Sequence, residues 1–319
     1  MVAQVTTAST GPQVLECVPN FSEGLSAEVL QQIIAAMQAP GVSLLDFSRD
    51  ADHNRSVVTI AGEPAAVVEA AVRAAGKAAQ LIDLTKQTGV HPRIGAADVI
   101  PFVPVHGLSL AQAAMHARQA GLQIFRRFQV PVYFYEAAAA RPDRALLENV
   151  RRGQFEGLRD AVRQDATRRP DIGGPDLHPT AGASAVGARN FLIAYNIFLD
   201  QSEVTTARAI AKEIRASSGG LHGLKAMGVM ATPPGQSEPR AQVTMNITDF
   251  RTTPMPKVHA LVHRLAKKHG AHATDGELIG LIPEDAYEPD SDWIRQIPGF
   301  DPDQKVLERK LLHPLQWPV

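Results

Sequence analysis

The run Gly89-Val90-His91-Pro92-Arg93-Ile94-Gly95-Ala96-Ala97-Asp98-Val99-Ile100-Pro101-Phe102-Val103 decides how the first half of the chain is read. It joins the end of a long helical pattern to a strand. Pro92 stops the helix from running smoothly through His91, because its ring blocks the helical bond and biases the preceding residue toward extended backbone. Gly89 and Gly95 give the backbone room on both sides. One imidazole is thereby fixed at a helix-to-strand junction. Imidazole takes and gives protons near neutral pH, so His91 is the leading candidate for acid–base chemistry.

Working outward, the strand after His91 closes a β-α-β-β-α-β unit. Val14-Leu15-Glu16-Cys17-Val18 predicts a short strand. Leu30, Ile33, Ile34 and Met37 recur at helical spacing, and Pro40-Gly41 ends that helix. Residues 42–47 and 56–60 predict strands joined by the polar loop Ser48 to Arg55. Pro64 opens an Ala/Val-rich helix running to about Leu84. Pro101 and Pro104 place the closing strand at a sheet edge or at a bulge. A further helix and the strand Val130 to Tyr135 extend the sheet, and Arg141 to Gln164 is charged and mostly helical.

After the Gly/Pro/Asp-rich stretch from Pro170 to Pro179 the pattern restarts. Strands are expected at Asn190–Leu199, Leu224–Ala231, Ala241–Thr248 and Leu278–Ile282. Helices are expected from Ser202 to Ala216 and from Pro256 onward. The fold class is therefore α+β, with two ferredoxin-like β-α-β-β-α-β subdomains. The expected division is a disordered tail over 1–13, one subdomain over 14–183 and the other over 184–319. Sheets bare on one face are expected to leave a ligand groove between the halves.

Composition narrows the function. The chain has 319 residues, a formal net charge of −1 and one cysteine, Cys17. No basic excess points to nucleic acid or a membrane surface. One cysteine excludes a disulfide framework within the chain and suits a reducing compartment. The first ten residues lack the basic and apolar regions of a signal peptide, and no apolar run reaches membrane-span length. A soluble cytoplasmic protein is expected.

Several motifs fail on inspection. Asp50-Ala51-Asp52-His53-Asn54-Arg55 resembles a calcium loop, but Arg55 and Ala61 occupy the required glycine and glutamate positions. The loop is either a solvated hairpin or a ligand-facing one. His259 and His263 have metal-ligand spacing, yet Ala260 stands where a metalloprotease carries glutamate, so no metal site is expected. Gly182 to Arg189 has the glycines of a phosphate loop without its Lys-Ser/Thr pair. Neither a dinucleotide fingerprint nor a G-x-S-x-G elbow is present. Cys17, inside an apolar strand pattern, reads as a buried thiol.

Four segments together resemble one family. They are Glu16-Cys17-Val18-Pro19-Asn20-Phe21-Ser22-Glu23-Gly24; Leu45-Asp46 followed by Asp52-His53-Asn54-Arg55-Ser56-Val57; His91 to Ala96 with Asp98; and Gly187 to Asn196. In this order, over about Val14 to Pro283, they are similar to the formiminotransferase family. The resemblance implies two ferredoxin-like subdomains. It also implies transfer of a formimidoyl group from N-formimidoyl-L-glutamate to N5 of tetrahydrofolate, with His91 as the catalytic residue. It further implies a folate-contacting stretch at Asp171-Ile172-Gly173-Gly174-Pro175-Asp176-Leu177-His178-Pro179-Thr180, where Leu177 replaces the usual aromatic. Some members carry a carboxylate at the place of Ser48, a role that falls here to Asp50 or Asp52.

The chemistry suits these residues. One histidine can remove a proton from the attacking nitrogen and return one to glutamate's nitrogen. Tetrahydrofolate is then a co-substrate, and neither a prosthetic group nor a metal is required. Glu23, Asp50 and Asp52 are candidates to support the imidazole or the cationic amidine. Arg55 and Arg93 are candidates to clamp substrate carboxylates, and Asn20, Asn54 and Asn196 to orient polar groups. The expected partners are small molecules, neither nucleic acid nor membrane, with a homodimer left open. The alternatives are a formyl donor or a 5-formyltetrahydrofolate-processing homologue, and, in another class, a folate-binding protein without catalysis.

Overall fold

A computed structural model describes residues 12–51, 53–89 and 92–318. The chain divides into two compact units. One holds Met1–Arg189 with Pro314–Val319, and the other holds Asn190–His313.

The first unit is built from β1 (Val14–Cys17), β2 (Asn20–Phe21), α1 (Ala27–Met37), β3 (Val42–Asp50), β4 (Arg55–Gly62), α2 (Pro64–Leu81), β5 (Ala97–His106), α3 (Leu110–Phe128) and β6 (Val132–Glu136). Then come α4 (Leu147–Val150), α5 (Gln154–Gln164) and β7 (Ser184–Ala188). Strands β1 and β2 together occupy one position between β4 and β5, and β3 lies beyond β4. β7 and then β6 extend the sheet past β5 in parallel. The helices form for reasons written locally. Ser26 accepts the Val29 N–H at the start of α1, and Leu30, Ile33, Ile34 and Met37 all turn inward. Each such burial contributes about 1.5–3 kcal/mol before entropy is charged against it. The Ala-rich faces of α2 and α3 allow close approach: a Cβ on Gly76 would meet the Phe128 ring at 2.2 Å.

Three expectations meet the structure here. β5 is not an edge strand; it pairs with β1 and β2 on one side and with β7 on the other. Its prolines are tolerated at irregularities. Pro104 adjoins a register shift at Val14/Leu15, and the Pro101 carbonyl accepts the Val18 N–H where β1 gives way to β2. The bulge half of the expectation describes β5, because a bulge relieves the ladder of the missing proline donor. Second, Ser184–Ala188 is a strand of the first sheet, so the units part after Arg189 rather than after residue 183. The polar loop is also shorter than expected, since β3 and β4 pair as far as Asp50 and Arg55. Most of the expected 1–13 tail lies outside the described residues.

The second unit contains β8 (Ile193–Leu199), α6 (Thr205–Ile214), β9 (Leu224–Ala231), β10 (Arg240–Ile247), α7 (Met255–Lys268), β11 (Ala273–Ile279) and α8 (Asp292–Arg295). Its antiparallel sheet runs β11-β8-β10-β9. This is a β-α-β-β-α-β path in which β8 and β9 flank β10. Ile193, Tyr195, Ile197 and Leu199 share a buried cluster with residues of α6 and α7. Trp293 seals that core edge-on to Tyr195 at 5.8 Å. Among the described residues, no helix is long and apolar enough to cross a membrane.

Candidate functional site

Three loops of the first unit meet: Ser22 to Ser26 after β2, the β3–β4 turn, and Gln87 to Gly89. Backbone contacts bring them together. A Cβ on Gly24 would lie 2.0 Å from the Asp50 carbonyl oxygen, and one on Gly89 would lie 2.7 Å from that of His53. Only glycine permits either approach. Asn54, buried and with a left-handed φ of 48°, ties all three. Its Oδ1 accepts the Gly24 N–H at 2.7 Å, its Nδ2 donates to the Thr88 carbonyl at 2.7 Å, and its own carbonyl accepts Gln87 Nε2 at 3.1 Å. Asn54 is thus a clamp between loops, with a hydrogen bond inside the fold at each end of its amide.

The next residues in the chain, Val90 and His91, lie outside the described residues, as does Asp52. The chain on the far side is firmly held. Asp98, 1% exposed, accepts the Ile94 N–H at 2.7 Å and the Gly95 N–H at 3.3 Å, and it ion-pairs with Arg151. Arg93 is 6% exposed. It donates to the Gln87 carbonyl at 2.9 Å, to the Gln87 side chain, and to Glu156 at 2.8 Å. Arg93 therefore braces the loop against α5 through these internal partners.

The remaining side chains divide in the same way. Glu23 Oε1 accepts the Leu25 and Ser26 N–H groups, each at 2.7 Å, and so shapes the entry to α1. Asp50 accepts the His53 N–H at 2.9 Å and meets His53 Nδ1 at 2.6 Å, on an exposed surface. Arg55 donates Nε to Asn20 Oδ1 at 2.8 Å, and Asn20 Nδ2 donates to the Val18 carbonyl at 2.9 Å. The Arg55 guanidinium forms no further hydrogen bond among the described residues. Burial lowers its pKa, the Arg151 cation lowers it further, and Asp98 and Asp50 oppose both. It stays charged, since an arginine pKa begins far above neutrality. Asn196, in the second unit, donates to Glu277 Oε2 at 3.0 Å and accepts the Met245 N–H at 3.3 Å.

The expected folate stretch lines a cleft of about 430 Å³. Gly174, Pro175, Asp176, Leu177, His178 and Pro179 face Phe125, Gln129 and Pro131 there. Three members of the stretch also make contacts within the fold. Asp171 pairs with Arg144 at 2.5 Å and accepts the Phe134 N–H at 2.8 Å. Ile172 bridges to Val132. His178 Nδ1 accepts the Ala181 N–H at 3.0 Å, and burial lowers its pKa. Leu177 gives no aromatic surface, but Phe125 of α3 does.

Other groups are quiet. Burial pushes the Cys17 thiol well up, which removes it as a nucleophile at neutral pH. Among the described residues, no three His, Cys, Asp or Glu side chains gather as a metal cage. The His259 and His263 rings lie 4.3 Å apart, and His263 Nε2 meets Gln296 Oε1 at 3.1 Å. Sequence reasoning missed the bracing role of Asp98 and its partner Arg151, because an ion pair across the fold leaves no local signature. It also missed Phe125, whose part depends on helix packing.

Comparison with known proteins follows the same division. The model of the formiminotransferase domain, N-terminal subdomain, matches residues 14–189, and that of the formiminotransferase domain matches 194–308. A glutamate formimidoyltransferase from Streptococcus pyogenes serotype M1 is 39% identical over 301 residues, covering 94% of this chain and 99% of its own. One from Thermoplasma acidophilum is 38% identical, covering 93% and 97%. A formimidoyltransferase-cyclodeaminase from Mus musculus is 39% identical over 85% of this chain and 50% of its own.

Proposed function

The chain belongs to the formiminotransferase family, and from that premise we propose that it moves the formimidoyl group of N-formimidoyl-L-glutamate to N5 of tetrahydrofolate. The match to glutamate formimidoyltransferases along nearly the full length of both chains carries this reading. The products are 5-formimidoyltetrahydrofolate and L-glutamate. The N5 lone pair forms a bond to the amidine carbon, giving a tetrahedral intermediate, and N5 gives up its proton. The glutamate nitrogen takes a proton as its bond to that carbon breaks. His91 carries out both transfers in this proposal, a contribution of roughly a hundred- to ten-thousandfold. Tetrahydrofolate is a co-substrate, and the chemistry asks for no metal.

Arg55 is the residue proposed to receive a substrate carboxylate. Its cation is half-buried, held by Asn20 and left with donors in hand. Asp50, beside His53, is the carboxylate proposed to favour the cationic amidine, with Asp52 alongside it in the sequence. The cleft at Gly174 to Pro179 is proposed to take the aryl portion of folate, with Phe125 supplying the ring that Leu177 does not. A cytoplasmic setting and a homodimer complete the proposal.

The deciding experiment mixes the purified protein with reduced tetrahydrofolate and formimidoylglutamate and follows folate absorbance. Turnover is expected without added metal and unchanged by chelator. No product while the folate stays reduced sinks the assignment. Turnover with a formyl donor and none with formimidoylglutamate moves it to the formyl-transferring alternative.

A further inference from the structure

The cleft of about 430 Å³ beside the end of α3 is lined wholly by residues of the first unit. Its walls are largely apolar, with Phe125, Leu177 and three prolines on them. Three polar side chains join these walls: Gln129, Asp176 and His178. Apolar walls with a few placed polar groups are the usual make-up of a small-molecule site. The class of ligand then follows from what those polar groups have left to offer. The Asp176 carboxylate is already matched, since its Oδ1 accepts Arg163 Nε at 2.7 Å.

His178 is fixed in backbone and in ring. Its N–H donates to the Gly182 carbonyl at 2.9 Å, and its own carbonyl accepts the Gly182 N–H at 3.0 Å. Its Nδ1 accepts the Ala181 N–H at 3.0 Å and the Thr180 N–H at 3.4 Å. A ring nitrogen that accepts carries no proton, so the neutral imidazole holds its proton on Nε2. Burial lowers the pKa and keeps the ring neutral at neutral pH. The two ring nitrogens point in divergent directions, so Nε2–H is turned away from the Thr180–Ala181 backbone. It makes no hydrogen bond among the described residues. Gln129 is placed in a similar manner. Its Nε2 donates to the Phe125 carbonyl at 3.1 Å, which leaves Oε1 as an acceptor. The cleft thus offers one preset neutral donor and one neutral acceptor.

We propose that His178 Nε2–H donates to the benzoyl carbonyl of the folate aryl amide while the aryl ring lies against Phe125. This rests on the reading of the cleft as the seat of the aryl portion of folate. A secondary aryl amide fits what the cleft offers. Its ring is apolar and its carbonyl, one bond from the ring, is a neutral acceptor for a neutral donor. Its N–H is of the kind that Gln129 Oε1 accepts. The glutamate carboxylates would ask for a cation, and the pyrimidine edge of the pterin for several acceptors. A donor whose tautomer is set before binding costs the complex little ordering.

The test is direct binding, independent of turnover. Tetrahydrofolate and its thioamide analogue, in which a weakly accepting C=S replaces the benzoyl C=O, are titrated anaerobically by calorimetry. The proteins are wild type and His178→Asn, whose side-chain oxygen can still accept the Ala181 N–H while no donor reaches the place of Nε2. Wild type is expected to bind tetrahydrofolate at least about fivefold more tightly than the thioamide. The variant is expected to lose that discrimination, weakening tetrahydrofolate at least about fivefold and the thioamide far less. Nitrogen-15 spectra of the wild-type histidines should show His178 as the Nε2–H tautomer, with that proton moving downfield when tetrahydrofolate binds. Equal binding of both ligands by wild type overturns the proposal. So does a folded variant that discriminates as wild type does or loses both ligands equally. A His178 Nε2–H signal that tetrahydrofolate leaves unmoved overturns it even if the variant does not fold. If tetrahydrofolate fails to bind wild type at all, the folate reading itself falls first, and this inference with it.

Discussion

His91→Ala is expected to lower kcat by at least about a hundredfold while thermal unfolding stays close to wild type, as follows if its part is the proposed proton transfer. Near-normal turnover assigns His91 a structural part. Asn54→Ala should do the reverse. It strips partners from the Gly24 N–H and the Thr88 carbonyl, so about 2–3 kcal/mol of stability should go, read in urea unfolding. A loss below about 0.5 kcal/mol would mean that the loops meet without this clamp. Glu23→Gln keeps an oxygen for the Leu25 and Ser26 amides and should leave turnover within a few-fold; a hundredfold loss would return Glu23 to the reacting atoms. At this scale the residues of the three loops were legible from sequence, but their contacts were not. Arg93 and Asn54 look like ligand-facing groups in a motif. Only the fold brings Glu156, Gln87 and Gly24 against them and turns them into braces.

At the scale of elements, α7 carries a pH dependence. His259 is buried, and its pKa is lowered first by that burial and then by His263 beside it, with Gln296 and Asp292 opposing. A base with a depressed folded pKa binds fewer protons folded than unfolded below about pH 6.5. The stability it supports is complete above that value and drains away as the pH falls toward the lower folded pKa. Urea unfolding at pH 7.5 and 5.5 should show this loss in wild type and a smaller one in His259→Phe; an unchanged loss in the variant places the effect elsewhere. Helices such as α1 and α2 were legible because period and caps coincide. Ser184–Ala188 was not, since a fully buried run of small residues has no alternation to read. The prolines of β5 left an edge and a bulge both open, because sequence cannot display the break between β1 and β2 that accommodates them.

The whole molecule repeats one connectivity twice, and that repetition was readable as a restart of the pattern after Pro179. The return of the chain to its first unit was not, because Leu315 carries no local mark of its destination. Leu315 donates its N–H to the Leu44 carbonyl at 2.8 Å, and Leu315 and Trp317 pack on the first core. Deleting 314–319 should lower the first unit's melting temperature by about 2–4 °C per kcal/mol lost and leave the fold intact, as calorimetry can check. No shift would make the return ornamental. The same contact orders events at the ribosome. Domains generally fold as they emerge, from the N-terminal end first. Here the partner of Leu44 is synthesised only after the whole second unit has appeared, so the first unit must wait, nearly complete, with one position on β3 still vacant. Its nascent form is then the stage at which a chaperone has most to protect.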